Sequence, residues 1–313
     1  MADDVTVVIP TRNRADLLAT TLHSVQVAID EARRVGWGAR VLVVDDVSDD
    51  DQTRVVAQAA GADYVRIDVH DGRNNPASAI VLGVSSVTTP YLTLFGDDDI
   101  MLPRYLVAHM EKLAQGYDLC VGSFARTDAH LRVTKEVVLQ DPHLGDLLAG
   151  VIGINDGAMV RTDLMRAGPW DASQDQRVIY PVWLTILTNG ARTTSISEIT
   201  WLYRRHDANI SDRLDPEDSA ARAAVLEPFR QAYLDRGERI PASRAQILAD
   251  ESEAWEEQHR RVDLAAREKA ARAQAIAAEK ARLKRERWDA TPWTRKLVIR
   301  IRRRSRRILQ RFR

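Results

Sequence analysis

The amino-acid sequence predicts an α/β fold in which a mostly parallel β-sheet is flanked by helices and followed by a C-terminal helical extension. Short apolar runs rich in β-branched residues, such as VTVVI (5–9) and RVLVVDD (40–46), alternate with longer segments of helical periodicity. These runs are apolar at nearly every position, which is typical of parallel strands covered on both faces. A hydrophobic content of 45% over 313 residues is sufficient for a substantial core.

Strands and helices alternate along the first hundred residues. The helix over 15–35 shows apolar residues at helical spacing, the next helix ends at Gly61, and the third has Pro76 in its first turn. The predicted strands of this half cover residues 5–9, 40–46, 64–67 and 91–95, and the helices cover 15–35, 50–62 and 76–87. Farther along, we predict helices over 103–115, 180–190 and 216–236, and strands over 118–124 and 194–206.

The composition divides the chain into three predicted parts: an α/β domain over 1–212, a helical region over 213–288 and a basic tail over 289–313. Within the helical region, residues 243–288 are rich in Ala, Glu, Lys and Arg. Large apolar residues recur there on a seven-residue period, at Trp255, Val262, Ile276 and Leu283. This spacing fits a solvated helix packed on one side, or a weak coiled coil that forms a homo-oligomer. The small residues at the second heptad position favour the first alternative.

The charge of the chain is zero overall but very uneven, because residues 284–313 carry thirteen basic and two acidic residues, a net charge of +11. If residues 293–313 form a helix, its apolar residues lie along one stripe: Trp293, Leu297, Ile301, Ile308 and Phe312. Basic residues around an apolar stripe favour an anionic membrane surface. An RNA-binding arm and a helix that docks on an acidic partner are the alternatives. Nucleic acid is less favoured because the apolar residues share one face.

Further features favour a cytoplasmic protein that associates peripherally with the inner face of the plasma membrane. Cys120 is the single cysteine, which excludes an internal disulfide and suits a reducing compartment. The N-terminal residues do not show a signal-peptide pattern, and no apolar run is long enough to span a bilayer. We therefore expect the basic tail to supply the membrane attachment.

Polar clusters follow three of the predicted strands where each strand ends: PTRNR (10–14), DDVSDDD (45–51) and GDDD (96–99). In an open α/β sheet, ligands bind beyond the carboxyl ends of the strands. The convergence of these clusters therefore predicts a binding site at that edge. Neither GxGxxG nor GxxxxGK occurs in the first half of the chain, which argues against dehydrogenases, kinases and P-loop enzymes.

Asp97, Asp98 and Asp99 form the most distinctive of these clusters. Adjacent carboxylates repel one another unless a positive group lies among them. Mg²⁺ and Mn²⁺ bind through one or two carboxylates together with substrate phosphates, so the cluster predicts a cation site. The alternative is an acidic loop that caps the helix beginning near Pro103, although capping requires fewer than three aspartates.

The clusters after the first two strands are suited to a nucleotide. Arg12 and Arg14 place two guanidinium groups near the N-terminus of the next helix, which favours an anion, although the segment would also fit a plain turn. Asp45 or Asp46 is suited to accept hydrogen bonds from a base or a ribose. The alternative for this cluster is an N-terminal capping box for the following helix, which accounts for part of residues 48–51.

Three of these segments resemble the signature blocks of family 2 glycosyltransferases: VTVVIPTRNRADLLATTLHSV, VLVVDDVSDDDQT and YLTLFGDDDIMLP. The resemblance runs over residues 5–211 and includes AMVRTDLMRAGPWD, VWLTILTNGAR and YRRHDANIS. It implies the GT-A fold and the transfer of a sugar from a nucleotide-sugar donor, favoured as a UDP-sugar, with inversion at the anomeric carbon. The implied acceptor is a hydroxyl group of a glycan, a surface polymer or a lipid-linked molecule.

The resemblance also implies roles for individual residues. The donor would bind to Pro10, Thr11, Arg12, Arg14, Asp45, Asp46 and Asp97, with Asp45 on the base and Asp46 on the ribose side. A Mn²⁺ or Mg²⁺ ion bridging the diphosphate would be held by Asp98, Asp99 and His206. In this family an Ala-Arg-Asn triplet often precedes the fourth strand, and its Arg reaches the donor. Here residues 79–81 are Ala-Ile-Val, so Arg73, or Asn74 with Asn75, is expected to take over.

A second departure concerns the general base, which in this family is an acidic residue, usually in a Glu-Asp pair. The corresponding positions here are Val178 and Ile179, and the nearest acids, Asp175 and Asp171, are the candidates. The implied reaction is a single displacement in which this carboxylate removes the proton from the acceptor hydroxyl. Without such a base, the protein would be a catalytically silent nucleotide-sugar-binding or scaffolding protein.

Three tryptophans are candidates for stacking against sugar rings: Trp170, Trp183 and Trp201. Trp183 lies in an apolar helical segment, so we expect it to belong to the core. The other two remain candidates for carbohydrate contacts.

Overall fold

The computed structural model of the chain describes residues 4–67, 76–148, 154, 157–171, 179–206, 209 and 216–238. All of these belong to the first of two units into which the chain divides, Met1–Ala245 and Gln246–Arg313. The segments predicted as a heptad-like region and a basic tail lie outside the described residues. The same is true of Arg73, Asn74, Asn75 and Asp175.

The first four strands form the parallel part of one sheet, as the sequence predicts. They are β1 (Val5–Thr11), β2 (Ala39–Asp45), β3 (Asp63–Arg66) and β4 (Tyr91–Leu94). β1 pairs with β2 on one side and with β4 on the other, β3 pairs with β2, and all three pairings are parallel. Val7, Val8 and Ile9 are fully buried although successive side chains face opposite sides of the sheet, which explains the continuous apolar run.

Beyond β4 the sheet is mixed, so the expectation of a mostly parallel sheet holds only for its first half. The further strands are β5 (Ile100–Met101), β6 (Leu119–Thr127), β7 (Val133–Val137), β8 (Ala158–Arg161) and β9 (Thr193–Arg204). The strand order is β3-β2-β1-β4-β8-β6-β9-β5, with β7 paired to β6. β8 is antiparallel to β4 and β6, whereas β9 runs parallel to β6.

Helices cover both faces of the sheet. They are α1 (Ala15–Arg34), α2 (Gln52–Ala59), α3 (Ala77–Ser86), α4 (Tyr105–Leu113), α5 (Leu144–Leu148), α6 (Thr162–Arg166), α7 (Tyr180–Thr188) and α8 (Pro216–Asp235). One apolar cluster joins the sheet to α1, α2 and α4, and a second cluster joins the opposite face to α3 and α5–α8. The sheet is therefore the middle layer of three.

Helix α8 starts at Pro216, where the sequence predicts a helix start, and packs on the second cluster. Leu226 is buried there, and Arg230 Nη2 donates a hydrogen bond to the Leu148 carbonyl at 3.1 Å. The predicted helical region over 213–288 thus begins with a helix that contacts α5 and α7 of the α/β domain.

An aromatic cluster lies beneath the carboxyl ends of β4 and β9. Trp201 is 1% exposed and stacks on Phe124 with ring centroids 4.7 Å apart, and its edge meets Phe95 at 6.0 Å. Trp201 therefore has no free face for a sugar, and the prediction of a stacking role for it is wrong. Trp183 is buried in the core, as predicted, and the indole of Trp170 donates to the Met165 carbonyl.

Candidate active site

The polar segments that follow β1, β2 and β4 meet at one edge of the sheet, as the strand order requires. Because β1 is parallel to both neighbours, Thr11 lies beside Asp45 in register, and the segment after β4 lies on its other side. The Thr11 hydroxyl donates to Asp97 Oδ2 at 2.7 Å. The predicted convergence is therefore present in the structure.

The positive group that the three adjacent aspartates require is Arg14. Its Nη1 donates to Asp97 Oδ1 at 3.0 Å and to Asp98 Oδ2 at 3.2 Å. Burial, chiefly, and the neighbouring Asp98 raise the pKa of Asp97 to about 6, although the charge of Arg14 opposes this shift. Both oxygens of Asp97 accept hydrogen bonds, from Thr11 and from Arg14, so this carboxylate joins β1 and α1 to the end of β4.

Asp98 is the carboxylate that meets the predicted histidine. His206 Nε2 lies 2.9 Å from Asp98 Oδ2, and both side chains are largely buried. His206 follows β9 in a turn that Asn209 closes. The Asn209 amide donates to the Arg204 carbonyl at 3.0 Å, and its oxygen accepts a hydrogen bond from the His206 backbone N–H. Asn209 therefore holds the backbone that carries His206.

Asp99 is anchored to the fold. It is 1% exposed, and its Oδ1 accepts a hydrogen bond from the backbone N–H of Arg204 at 2.9 Å. The Thr21 hydroxyl of α1 contacts the carbonyl oxygens of Asp97 and Asp99 at 3.0 and 2.8 Å, which fixes the backbone on both sides of Asp98. One oxygen of Asp99 is thus already in use, and a metal-binding role for Asp99 stays a prediction.

Asp98 and His206 fit a divalent cation as a two-ligand set. A carboxylate oxygen and an imidazole nitrogen converge at 2.9 Å, and both atom types bind Mn²⁺. Within the part of the chain that the structure describes, no group of three or more His, Cys, Asp or Glu side chains could hold a metal ion. Mg²⁺ and Mn²⁺ sites that use substrate phosphates need only one or two protein ligands, so the pair is sufficient for such a site.

Asp45 is directed into the fold. It has no exposed surface, and its Oδ1 accepts from the Ser48 backbone N–H at 2.8 Å while its Oδ2 accepts from the Tyr64 hydroxyl at 2.6 Å. Burial and this carboxylate raise the pKa of Tyr64 to about 12. Asp46 is 7% exposed, and its backbone N–H donates to the Thr11 carbonyl. The predicted contacts of Asp45 with a base and of Asp46 with a ribose remain predictions.

A reciprocal contact, which sequence reasoning missed, joins the loops that follow β1 and β2. The Asn13 backbone N–H donates to Ser48 Oγ at 3.0 Å, and the Asp49 backbone N–H donates to the Asn13 side-chain oxygen at 2.7 Å. Asn13 and Val47 both adopt φ of 54°, a conformation that asparagine tolerates better than a β-branched residue. The two loops therefore form one rigid rim around Thr11 and Asp46.

Arg204 is a second residue that sequence reasoning missed. It is 7% exposed, its Nε is buried without a hydrogen-bond partner, and no described carboxylate forms an ion pair with it. Trp201 and Tyr203 face the aromatic cluster, so alternation along β9 places Arg204 on the opposite face of the sheet. A buried guanidinium nitrogen without a partner makes Arg204 a candidate for contact with an anionic ligand. The motif YRRH, with arginine two positions before the histidine, was its sequence signal.

The remaining predicted residues lie around this edge or outside the described residues. Pro10 and Arg12 are partly buried at the end of β1, where the prediction places a nucleotide. Asp171 is exposed at the end of the described segment that follows α6. The other candidate base, Asp175, falls outside the described residues, so the general base stays a prediction with two candidates.

Residues 6–149 match the family model described as glycosyl transferase family 2. Over this range the chain is similar to family 2 glycosyltransferases. The carboxyl-edge cluster of Asp97, Asp98 and Arg14 lies inside the matched range, whereas His206 and Arg204 lie beyond it. A comparison with curated protein sequences finds no match. Among the helices of the described residues, none is long and apolar enough to cross a membrane.

Solved structures confirm the GT-A fold. The structure of S. aureus TarS 1-349 in complex with UDP-GlcNAc has a TM-score of 0.57 and 16% identity, covering 79% of this chain and 71% of that chain. The complex of TarS 1-349 with UDP has a TM-score of 0.55 and 13% identity, covering 72% and 65%. S. aureus TarS has a TM-score of 0.55 and 16% identity, covering 79% of this chain and 42% of that chain.

The raised pKa of Asp97 generates a prediction about stability and pH. The folded-state pKa of about 6 lies above the ordinary value of 3.8, so the metal-free fold favours the protonated carboxyl. We expect the free energy of unfolding of the wild type to fall as the pH rises from about 4 to about 6. Above that range, the free energy of unfolding of Asp97→Asn should be higher than that of the wild type by up to about 3 kcal/mol. Urea unfolding of metal-free protein on both sides of the window measures this.

Asp30→Asn, which removes an exposed carboxylate of α1 and keeps Asp97, is the matched control and should show the same pH dependence as the wild type. If Asp97→Asn is less stable than the wild type above the window, the ion pair with Arg14 outweighs the cost of burial.

Proposed function

We propose that the protein is a metal-dependent inverting glycosyltransferase that moves a sugar from a nucleotide-sugar donor to an acceptor hydroxyl. The observation that carries the proposal is the contact between Asp98 and His206 at 2.9 Å, at the carboxyl edge of a family 2 domain. A UDP-sugar is the favoured donor, because the TarS structures that share the fold contain UDP-GlcNAc and UDP. The proposed acceptor is a hydroxyl of a glycan, a surface polymer or a lipid-linked molecule.

In this proposal, Asp98 and His206 hold Mn²⁺ or Mg²⁺. When bound, such an ion neutralises charge that develops on the departing diphosphate. Thr11 and Arg14 orient Asp97, the Asp99 carboxylate fixes the end of β9, and Asn209 fixes the turn that carries His206. These contacts preorganise the pair, and Asp99 remains the predicted third ligand.

The bond changes require one base and one leaving group. The acceptor oxygen forms a bond to the anomeric carbon, the bond from that carbon to the diphosphate oxygen breaks with its electron pair, and the acceptor proton passes to a carboxylate. Asp175 is the proposed base and Asp171 is the second candidate, because both precede α7 where the family carries its acidic pair. Arg204, whose buried Nε has no hydrogen-bond partner, is proposed to contact the diphosphate.

One observation favours a second candidate function. Val178 and Ile179 occupy the positions of the family's Glu-Asp pair, so the protein could bind the donor without transferring it. A catalytically silent nucleotide-sugar-binding or scaffolding protein would retain the site at 97–98 and lack the base. Turnover distinguishes the two candidates.

Donor hydrolysis in the presence of Mn²⁺, with UDP-sugars as probes, tests the proposal directly. We expect Asp98→Ala to lose at least about 100-fold in rate because the metal ligand is removed, and Asp175→Ala to lose about as much because the base is removed. Asp30→Asn should retain wild-type rates. Tight binding of UDP-sugar and Mn²⁺ without any turnover by the wild type would favour the silent binding protein instead.

Arg204→Gln should weaken the affinity for UDP by about 10- to 100-fold and leave the affinity for uridine unchanged, because a charge-assisted bond to phosphate is lost. Isothermal titration calorimetry with both ligands measures the difference. Arg192→Gln, at the opposite end of the same strand, is the control and should bind both ligands as the wild type does. Equal losses for UDP and uridine would assign Arg204 to folding rather than to phosphate binding.

The proposal places the enzyme on the inner face of the plasma membrane, attached through residues 293–313, with residues 243–288 as the candidate oligomerisation segment. The support is the sequence, in which thirteen basic residues and an apolar stripe share the last thirty positions. Such an attachment would bring the site to a lipid-linked or surface acceptor.

Removal of residues from 290 onward should abolish sedimentation with vesicles that contain about 30% anionic lipid, while UDP affinity remains unchanged. Vesicles of neutral lipid are the control and should bind neither form. Continued sedimentation of the truncated protein with anionic vesicles would refute a membrane role for the tail.

A further inference from the structure

Arg14 occupies an unusual position for a basic residue. It is the residue that precedes α1, at the helix end where the macrodipole disfavours positive charge, and its side chain makes no capping hydrogen bond. Serine, threonine, aspartate or asparagine would stabilise that helix end better. The guanidinium instead reaches across to the segment after β4, more than eighty residues away in sequence, where it contacts Asp97 and Asp98. The position is therefore explained by the two carboxylates rather than by the helix.

The contact with Asp98 involves the same oxygen that meets the histidine. Asp98 Oδ2 lies 3.2 Å from Arg14 Nη1 and 2.9 Å from His206 Nε2. A divalent cation between Asp98 and His206 would lie next to the guanidinium, and the two positive charges would repel each other strongly in this largely buried place. Arg14 and the cation therefore compete for Asp98.

The Arg14 guanidinium has an alternative set of binding partners. Its side chain is 19% exposed, and the Nη1 that contacts Asp98 also contacts Asp97 at 3.0 Å, so the guanidinium keeps a carboxylate partner when it leaves Asp98. A guanidinium is also a good ligand for phosphate oxygens. A donor diphosphate bound at this edge can accept a hydrogen bond from the guanidinium, so that Asp98 becomes available to the cation.

We propose that Arg14 is the countercharge of the metal-free site and makes cation binding dependent on the diphosphate. Without nucleotide, Arg14 neutralises Asp97 and Asp98 and keeps cation affinity low. With nucleoside diphosphate present, the guanidinium leaves Asp98 for a phosphate oxygen, and Asp98 and His206 take the cation. This inference rests on the proposed function, since it assumes that the ligand of the site is a diphosphate with a divalent ion.

Mn²⁺ binding, measured by electron paramagnetic resonance on the full chain with and without UDP, tests the proposal. We expect Arg14→Gln to bind Mn²⁺ alone at least about five-fold tighter than the wild type, because a competing positive charge is removed. The tightening of Mn²⁺ binding by UDP should be smaller in Arg14→Gln than in the wild type. Arg14→Lys keeps the charge and should remain close to the wild type.

Arg34→Gln removes an exposed positive charge at the other end of α1 and is the matched control, with Mn²⁺ affinity expected to equal that of the wild type. Arg14→Met, which keeps most of the aliphatic stem, is the second neutral variant if the glutamine variant does not fold. Merely structural damage to the site would weaken Mn²⁺ binding, so a gain in affinity identifies the countercharge.

The outcomes separate this inference from the proposed function. If Mn²⁺ binds the wild type with UDP and is lost in Asp98→Asn, while the neutral Arg14 variants bind Mn²⁺ no tighter than the wild type, the countercharge role is overturned and the metal-dependent function stands. If the wild type binds no Mn²⁺ even with UDP, both are overturned.

Discussion

Three carboxylates side by side at the end of a buried strand are the constraint on which this edge of the fold depends. Each is stabilised by a different part of the chain: Asp97 by Thr11 and Arg14, Asp98 by Arg14 and His206, and Asp99 by the backbone of β9. The repulsion among the carboxylates is therefore offset only when β1, the start of α1, β4 and the end of β9 have all assembled. The polar contacts that build the site are also contacts that hold the sheet edge together.

Much of the fold could be predicted because the signals are local. The continuous apolar runs of β1 and β2 follow from burial on both faces, and Pro216 marks the start of α8. The place of the site followed from the same reasoning, since parallel neighbours bring Thr11 and Asp45 to one edge. The exposed strand β7 gives no such signal, because its first four residues all face solvent and show neither alternation nor an apolar run.

Residue roles within the site could not be read in this way, because they depend on partners distant in sequence. Arg14 was predicted to contact the donor, which stays a prediction, and its contacts with Asp97 and Asp98 could not be foreseen because no local pattern links positions so far apart. The contact of Asp45 with a base stays a prediction, and its hydrogen bond from Tyr64 could not be foreseen because only the pairing of β2 with β3 makes the two residues neighbours.

The number of acidic residues at this edge exceeds the number of carboxylates that the proposed metal site would use. Asp45 is directed into the fold and Asp97 has both oxygens hydrogen-bonded, which leaves Asp98 as the carboxylate that shares a contact with His206. In the proposed site, the two ligands Asp98 and His206, the first contacted by a guanidinium, would hold a hard divalent ion weakly, because such an ion needs about six ligands. A phosphate-bearing ligand can supply the missing oxygens and attract the guanidinium at once. The arrangement is thus better suited to an ion that arrives with a diphosphate than to a permanently bound one.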